Sequence, residues 1–160
     1  MGIQILPLWV LAGLMFAALA EEIIFRGWLL PALGRRYGWA RGIGFSGLLW
    51  AILHFFSDRY SGLGLDGILL RLVARILFCV AMGAVLSWLV LRWGSLWPAV
   101  LAHYVYNVLV IGGLLRLPPL PGLTFGVMWA IVAVILFRYW PLEEGIGAEP
   151  AGAPEAEAAI

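Results

Sequence analysis

Between Met1 and Arg35 the charged side chains are Glu21, Glu22 and Arg26, set inside a long apolar run from Ile3 to Leu33. A charge in a bilayer-spanning helix costs about 2.5–3.5 kcal/mol on insertion scales, so a cluster within two turns calls for a compensating role. In helical geometry Glu22 and Arg26 stand four residues apart, share a face and can pair. Glu21 points about 100° away, with no basic residue at pairing distance along the helix. The sequence thus offers one carboxylate that is neutralised locally and one that is not.

Composition shows that this run is not an exception. Of the 160 residues 64% are apolar and 12% charged, with a mean hydropathy of +1.00. Soluble domains hold roughly 45–50% apolar and 25% charged residues. The runs are continuous and too long for the alternating segments of about ten residues that build membrane barrels. The expected class is all-α, a polytopic transmembrane helical bundle. A formal net charge of +1 excludes an electrostatic case for nucleic acid. The single cysteine, Cys79, cannot form an internal disulfide and is expected to pack as a small apolar residue. Ala18-Leu19-Ala20 resembles a signal cleavage site, but no basic segment precedes it and the apolar run continues.

Five membrane helices are expected, at about residues 3–33, 40–57, 67–91, 95–115 and 120–140. The first exceeds the roughly 20 residues a span needs and should bend near Gly27 or Pro31. Gly34-Arg35-Arg36-Tyr37-Gly38 reads as a basic loop and Arg92-Trp93-Gly94-Ser95 as a tight turn, with Pro98 in the first turn of the next helix. Gly42, Gly44, Gly47, Gly83 and Ser87 suit close helix packing, not a nucleotide loop. Arg71 and Arg75 read as interfacial anchors. Residues 1–140 form one membrane core, and 141–160, rich in Ala, Glu, Gly and Pro, form a disordered acidic tail. Arginine counts weakly favour the end holding Arg35, Arg36, Arg41, Arg92 and Arg138 as cytoplasmic.

The two histidines, His54 and His103, lie in apolar segments, and Asn107 follows His103 by four. At about 1.5 Å of rise per residue, Glu21, His54, His103 and Asn107 all fall roughly 16–22 Å from the Arg35–Arg41 side. Convergence of these four at one depth is the basis for a functional site. Trp50, Tyr104 and Tyr106 read as packing, and Glu22 with Arg26 as a structural pair.

A carboxylate without a cationic partner in low dielectric can act as general base and acid near neutral pH. A histidine beside it can hold and polarise water, while a second histidine and a carboxamide can donate to a developing oxyanion. Such a set would hydrolyse a carbonyl, a peptide bond above all. No serine or cysteine pairs with a histidine at this depth. Glu21, His54 and His103 could instead ligate zinc, although no H-E-x-x-H spacing compels a metal. A small proton-coupled transporter is a further alternative, weakened by the lack of an internal repeat.

Glu21-Glu22-Ile23-Ile24-Phe25-Arg26-Gly27, Trp50-Ala51-Ile52-Leu53-His54 and His103-Tyr104-Val105-Tyr106-Asn107 together resemble the E-E-x-x-x-R, F-x-x-x-H and H-x-x-x-N motifs of the CPBP family. This family, the CAAX protease and bacteriocin-processing or Abi proteins, comprises glutamate-dependent intramembrane proteases. The resemblance covers about residues 15–112, with tryptophan standing where the second motif has phenylalanine. It implies that Glu21 and His54 activate water, that His103 and Asn107 stabilise the oxyanion, and that Glu22 and Arg26 orient the site. The family is often called a metalloprotease; a metal-free glutamate mechanism is the expectation favoured here, with zinc as the alternative, and the resemblance implies a membrane-anchored peptide or protein as substrate. A multi-pass protein of a bacterial inner or plasma membrane is expected. A non-catalytic bacteriocin-immunity or scaffold protein is the alternative within the same fold.

Overall fold

The computed structural model describes residues 6–57, 62–111 and 121–142. Among these residues there is no strand, and five helices build the molecule. Helix α1 covers Leu8–Tyr37, α2 Trp39–Ser57, and α3 Leu65–Trp93. Helix α4 starts as an α-helix over Trp97–Tyr106 and continues as a π-helix over Asn107–Ile111. Helix α5 covers Pro121–Tyr139. The long central α3 packs against α2, α4 and α5, while the first half of α1 packs on α4 and its end on α2.

The chain is an all-helical membrane bundle. Leu8–Tyr37, Leu65–Trp93 and Gly122–Tyr139 are each long and apolar enough to cross a membrane. Large apolar side chains such as Trp9, Phe16, Trp28, Phe56 and Val134 are exposed around the outside. That distribution would be untenable in water over so large an area and is ordinary against lipid. The core is a small cluster of Phe25, Trp50, Ala51, Phe78, Cys79, Met82, Leu86 and Ala99. Tyr106 packs on Phe78, Phe125 and Trp129, with ring centroids 5.3, 5.8 and 6.2 Å away, as its packing role requires.

Helix α1 differs from expectation in two ways. It does not stop at residue 33: Gly34, Arg35, Arg36 and Tyr37 form its last turn, and Gly38, at φ 83°, ends it. Two features let the helix run on. The ring of Trp39 covers Gly34 so closely that a Cβ there would lie 2.6 Å from it. Arg35 and Arg36 lie where cations favour the helix dipole.

The second difference is the π-helical stretch Ile23–Leu29, in which the Leu30 N–H bonds the Phe25 carbonyl. Pro31, one residue on, has no N–H to offer the Gly27 carbonyl, so the ladder is already interrupted there. The stretch sets the buried face. Ala18, Glu22, Arg26, Leu30 and Gly34 are all buried, at a strict spacing of four. In an unbroken α-helix that series drifts about 40° per step, or about 160° overall. Extra residues per turn in the π segment cut that drift and keep the series on one side.

Glycines bring the helices together around this face. A Cβ at Gly42 would lie 2.9 Å from the Gly34 nitrogen, and one at Gly47 would lie 2.8 Å from the Val80 Cα. These residues and Gly83 thus pack as the sequence suggests, whereas Gly44 has open space. Gly94, at φ 62°, caps α3 and donates its N–H to the Val90 carbonyl at 2.9 Å. Pro98 stands in the first turn of α4, as expected. The Pro118–Pro119 break, Arg59, Arg116 and the tail beyond Leu142 lie outside the described residues.

Candidate active site

The two neighbouring glutamates of α1 have different surroundings. Glu22 is fully buried. Its Oε1 accepts from Arg26 Nη1 at 3.1 Å and from His103 Nδ1 at 2.8 Å. The expected pair with Arg26 therefore exists, and it reaches a third member on α4. Arg26 is 1% exposed, and its guanidinium carbon lies 4.6 Å from the Trp50 ring centroid and 5.8 Å from that of Phe25. A desolvated guanidinium over an indole gains about 2 kcal/mol. On α3, Gly83 leaves the slot for this group: a Cβ there would meet Arg26 Nη2 at 3.1 Å.

Glu21 is half-buried, and its hydrogen bond comes from no cation. Trp50 Nε1 donates to Glu21 Oε2 at 2.7 Å. Four residues along α2, His54 Nδ1 bonds the Trp50 carbonyl at 3.0 Å. A carbonyl only accepts, so Nδ1 carries a proton there, and Nε2 is the ring nitrogen left for other contacts. The Glu22 carboxylate imposes the same proton on Nδ1 of His103.

Trp50 joins the two groups. Its ring meets His54 and His103 edge-on, each at a centroid distance of 5.4 Å. Glu21, Trp50 and His54 thus form one chain of contacts; Glu22, Arg26 and His103 form another; and the Trp50 ring touches both. Asn107 is buried one turn beyond His103, where the π-helical stretch of α4 begins. Both π-helical segments therefore adjoin the polar residues, a common setting for π turns at functional sites.

Sequence reasoning missed two residues. It assigned Trp50 to packing, and the residue does pack in the core, but its N–H and carbonyl also hold Glu21 and His54. The signal was present in an indole at the position where the resembling motif has a ring without a donor. Ser46, 1% exposed, donates to the Phe25 carbonyl at 3.3 Å and ties α2 to the π turn. It lies in the small-residue run of residues 42–47, whose reading as close helix packing does not foresee this hydrogen bond.

Among the described residues, no three His, Cys, Asp or Glu side chains stand together as a metal site. Each histidine has its Nδ1 in a hydrogen bond, to the Trp50 carbonyl or to Glu22, and its ring against Trp50, an outer-partner arrangement that metal-bound imidazoles share.

The sequence matches the family model for type II CAAX prenyl endopeptidase Rce1-like proteins over residues 3–109. The chain belongs to this Rce1-like family. All three motifs fall within the matched segment, as does all of α1 through the site residues of α4. Membership makes the chain a member of the CAAX-type intramembrane protease fold, within the CPBP proteins that the motifs resemble. Comparison with curated proteins gave no match, and comparison with solved structures gave none.

Proposed function

We propose that the chain is an intramembrane endopeptidase that hydrolyses a peptide bond near a prenylated or otherwise membrane-anchored tail, using Glu21 as general base and acid. In this reading water lies between Glu21 and the Nε2 of His54. Glu21 takes its proton as the oxygen attacks the scissile carbonyl carbon. The carbonyl π electrons move to oxygen, and the oxyanion accepts from His103 Nε2–H and the Asn107 amide. Collapse of the tetrahedral intermediate expels the amine, which takes the proton from Glu21. No metal takes part.

The observation that carries this reading is that Glu21 and His54, on different helices, are both held by hydrogen bonds to Trp50, at 2.7 and 3.0 Å. His54 Nδ1–H donates to the Trp50 carbonyl, which leaves Nε2 as the ring nitrogen that accepts from water in this reading. His103 Nδ1 lies 2.8 Å from Glu22 Oε1, and the reading requires that its Nε2 donate to the oxyanion. Arg26 pairs with Glu22 at 3.1 Å and holds it in place, a part that needs no contact with substrate.

The test is cleavage of a prenylated tail peptide by purified protein in detergent or liposomes. Glu21→Gln is expected to lower turnover by about 10²–10⁴-fold, the usual worth of a general base, while the protein still inserts and folds. Cleavage in chelator is expected to equal that without it. Full activity in Glu21→Gln, or loss on chelation restored by zinc, would overturn the assignment.

A further inference from the structure

We infer that Trp50 is a positioning residue for hydrolysis, in which one side chain and its own carbonyl hold Glu21 and His54 at a fixed spacing. The inference rests on the protease reading above and adds a residue to it. Its basis is geometric. Trp50 is 1% exposed, and its one side-chain donor is spent on Glu21 Oε2 at 2.7 Å. This is a short, charge-assisted bond. The carbonyl of the same residue fixes the His54 tautomer that leaves Nε2 as an acceptor. General base and water-polarising imidazole are thus both referenced to one rigid group.

That group is itself immobilised. Its ring lies against Phe25 and Phe78, at centroid distances of 6.1 and 6.4 Å, with the Arg26 guanidinium 4.6 Å away. Those contacts come from α1 and α3, so the orientation of Glu21 is set by three helices and not by α1 alone. A phenylalanine could fill most of this space but could not donate to Glu21. The backbone contact to His54 would survive such a change. The side-chain contact to Glu21 is therefore the separable part.

Two measurements on the full-length protein in nanodiscs test it. The first replaces Trp50 by β-(3-benzothienyl)alanine, which exchanges the N–H for sulfur at nearly constant shape, with Trp50→Phe as a second variant. Loss of one charge-assisted hydrogen bond from a catalytic base should lower kcat about tenfold or more, with KM within about twofold. The second follows the indole ¹⁵N–¹H resonance of Trp50, assigned by its disappearance in Trp50→Phe. A donor to carboxylate resonates downfield, and the signal should move upfield in Glu21→Ala. An active wild type whose kcat is unchanged in the benzothienyl variant, or an indole signal indifferent to Glu21→Ala, would overturn the positioning role alone. A wild type that cleaves no prenylated tail would overturn the protease reading and this role with it.

Discussion

Glu21 and Glu22 share a peptide bond and little else. Glu22 belongs to a sealed ionic cluster in which a guanidinium and an imidazole converge on one carboxylate oxygen. Glu21 is half-buried and takes a neutral donor, beside a histidine whose Nε2 is an acceptor. The contrast shows how one helix can serve stability and chemistry from adjacent positions. A successive rotation of about 100° sends one carboxylate into the bundle and the other towards its neighbour α2. The sealed member can be strongly paired because it need not change state. The other must stay free of cations if it is to take and return a proton.

The largest effect on this contrast should come from Arg26→Ala. Removing one partner of a buried pair strands the other charge and costs about 3–5 kcal/mol. Thermal or denaturant unfolding in detergent would register this as a marked loss of stability. A loss below about 1 kcal/mol would mean that the cluster is not sealed. Gly83→Val should follow, at about 1–3 kcal/mol, because added methyls enter the slot that Arg26 Nη2 occupies. The same unfolding assay reads it, and an unchanged midpoint would show that the guanidinium can move aside. Ser46→Ala should cost the least, about 1 kcal/mol, for one hydrogen bond to the π turn.

Much of this arrangement was legible in the sequence. The apolar runs gave the bundle, and the four-residue step from Glu22 to Arg26 gave the buried pair, because both depend on local periodicity. The Arg35–Arg36 segment misled: its charges look like a loop, yet they complete α1, because Trp39 covers Gly34 and the helix dipole accepts them. The π turn was invisible. It lies just before Pro31 and is held by Ser46 from another helix, a combination without a one-dimensional signature. Counting residues put His103 at a depth similar to that of Glu21, but could not set it beside Glu22 in preference to Glu21. That choice is made by the packing of α4 on α1. Trp50 was misjudged for a related reason: an aromatic residue one turn before a histidine reads as packing until the acceptor 29 positions earlier is seen beside it.

The division of labour between the two carboxylates is tested most directly by making the same change at each. Glu21→Ala and Glu22→Ala should be compared by unfolding midpoint in one detergent. Glu22→Ala is expected to lose about 3–5 kcal/mol, since Arg26 is left buried and unpaired. Glu21→Ala is expected to lose about 1 kcal/mol, with its damage falling on turnover instead. Equal losses, or the larger loss at Glu21, would contradict the account.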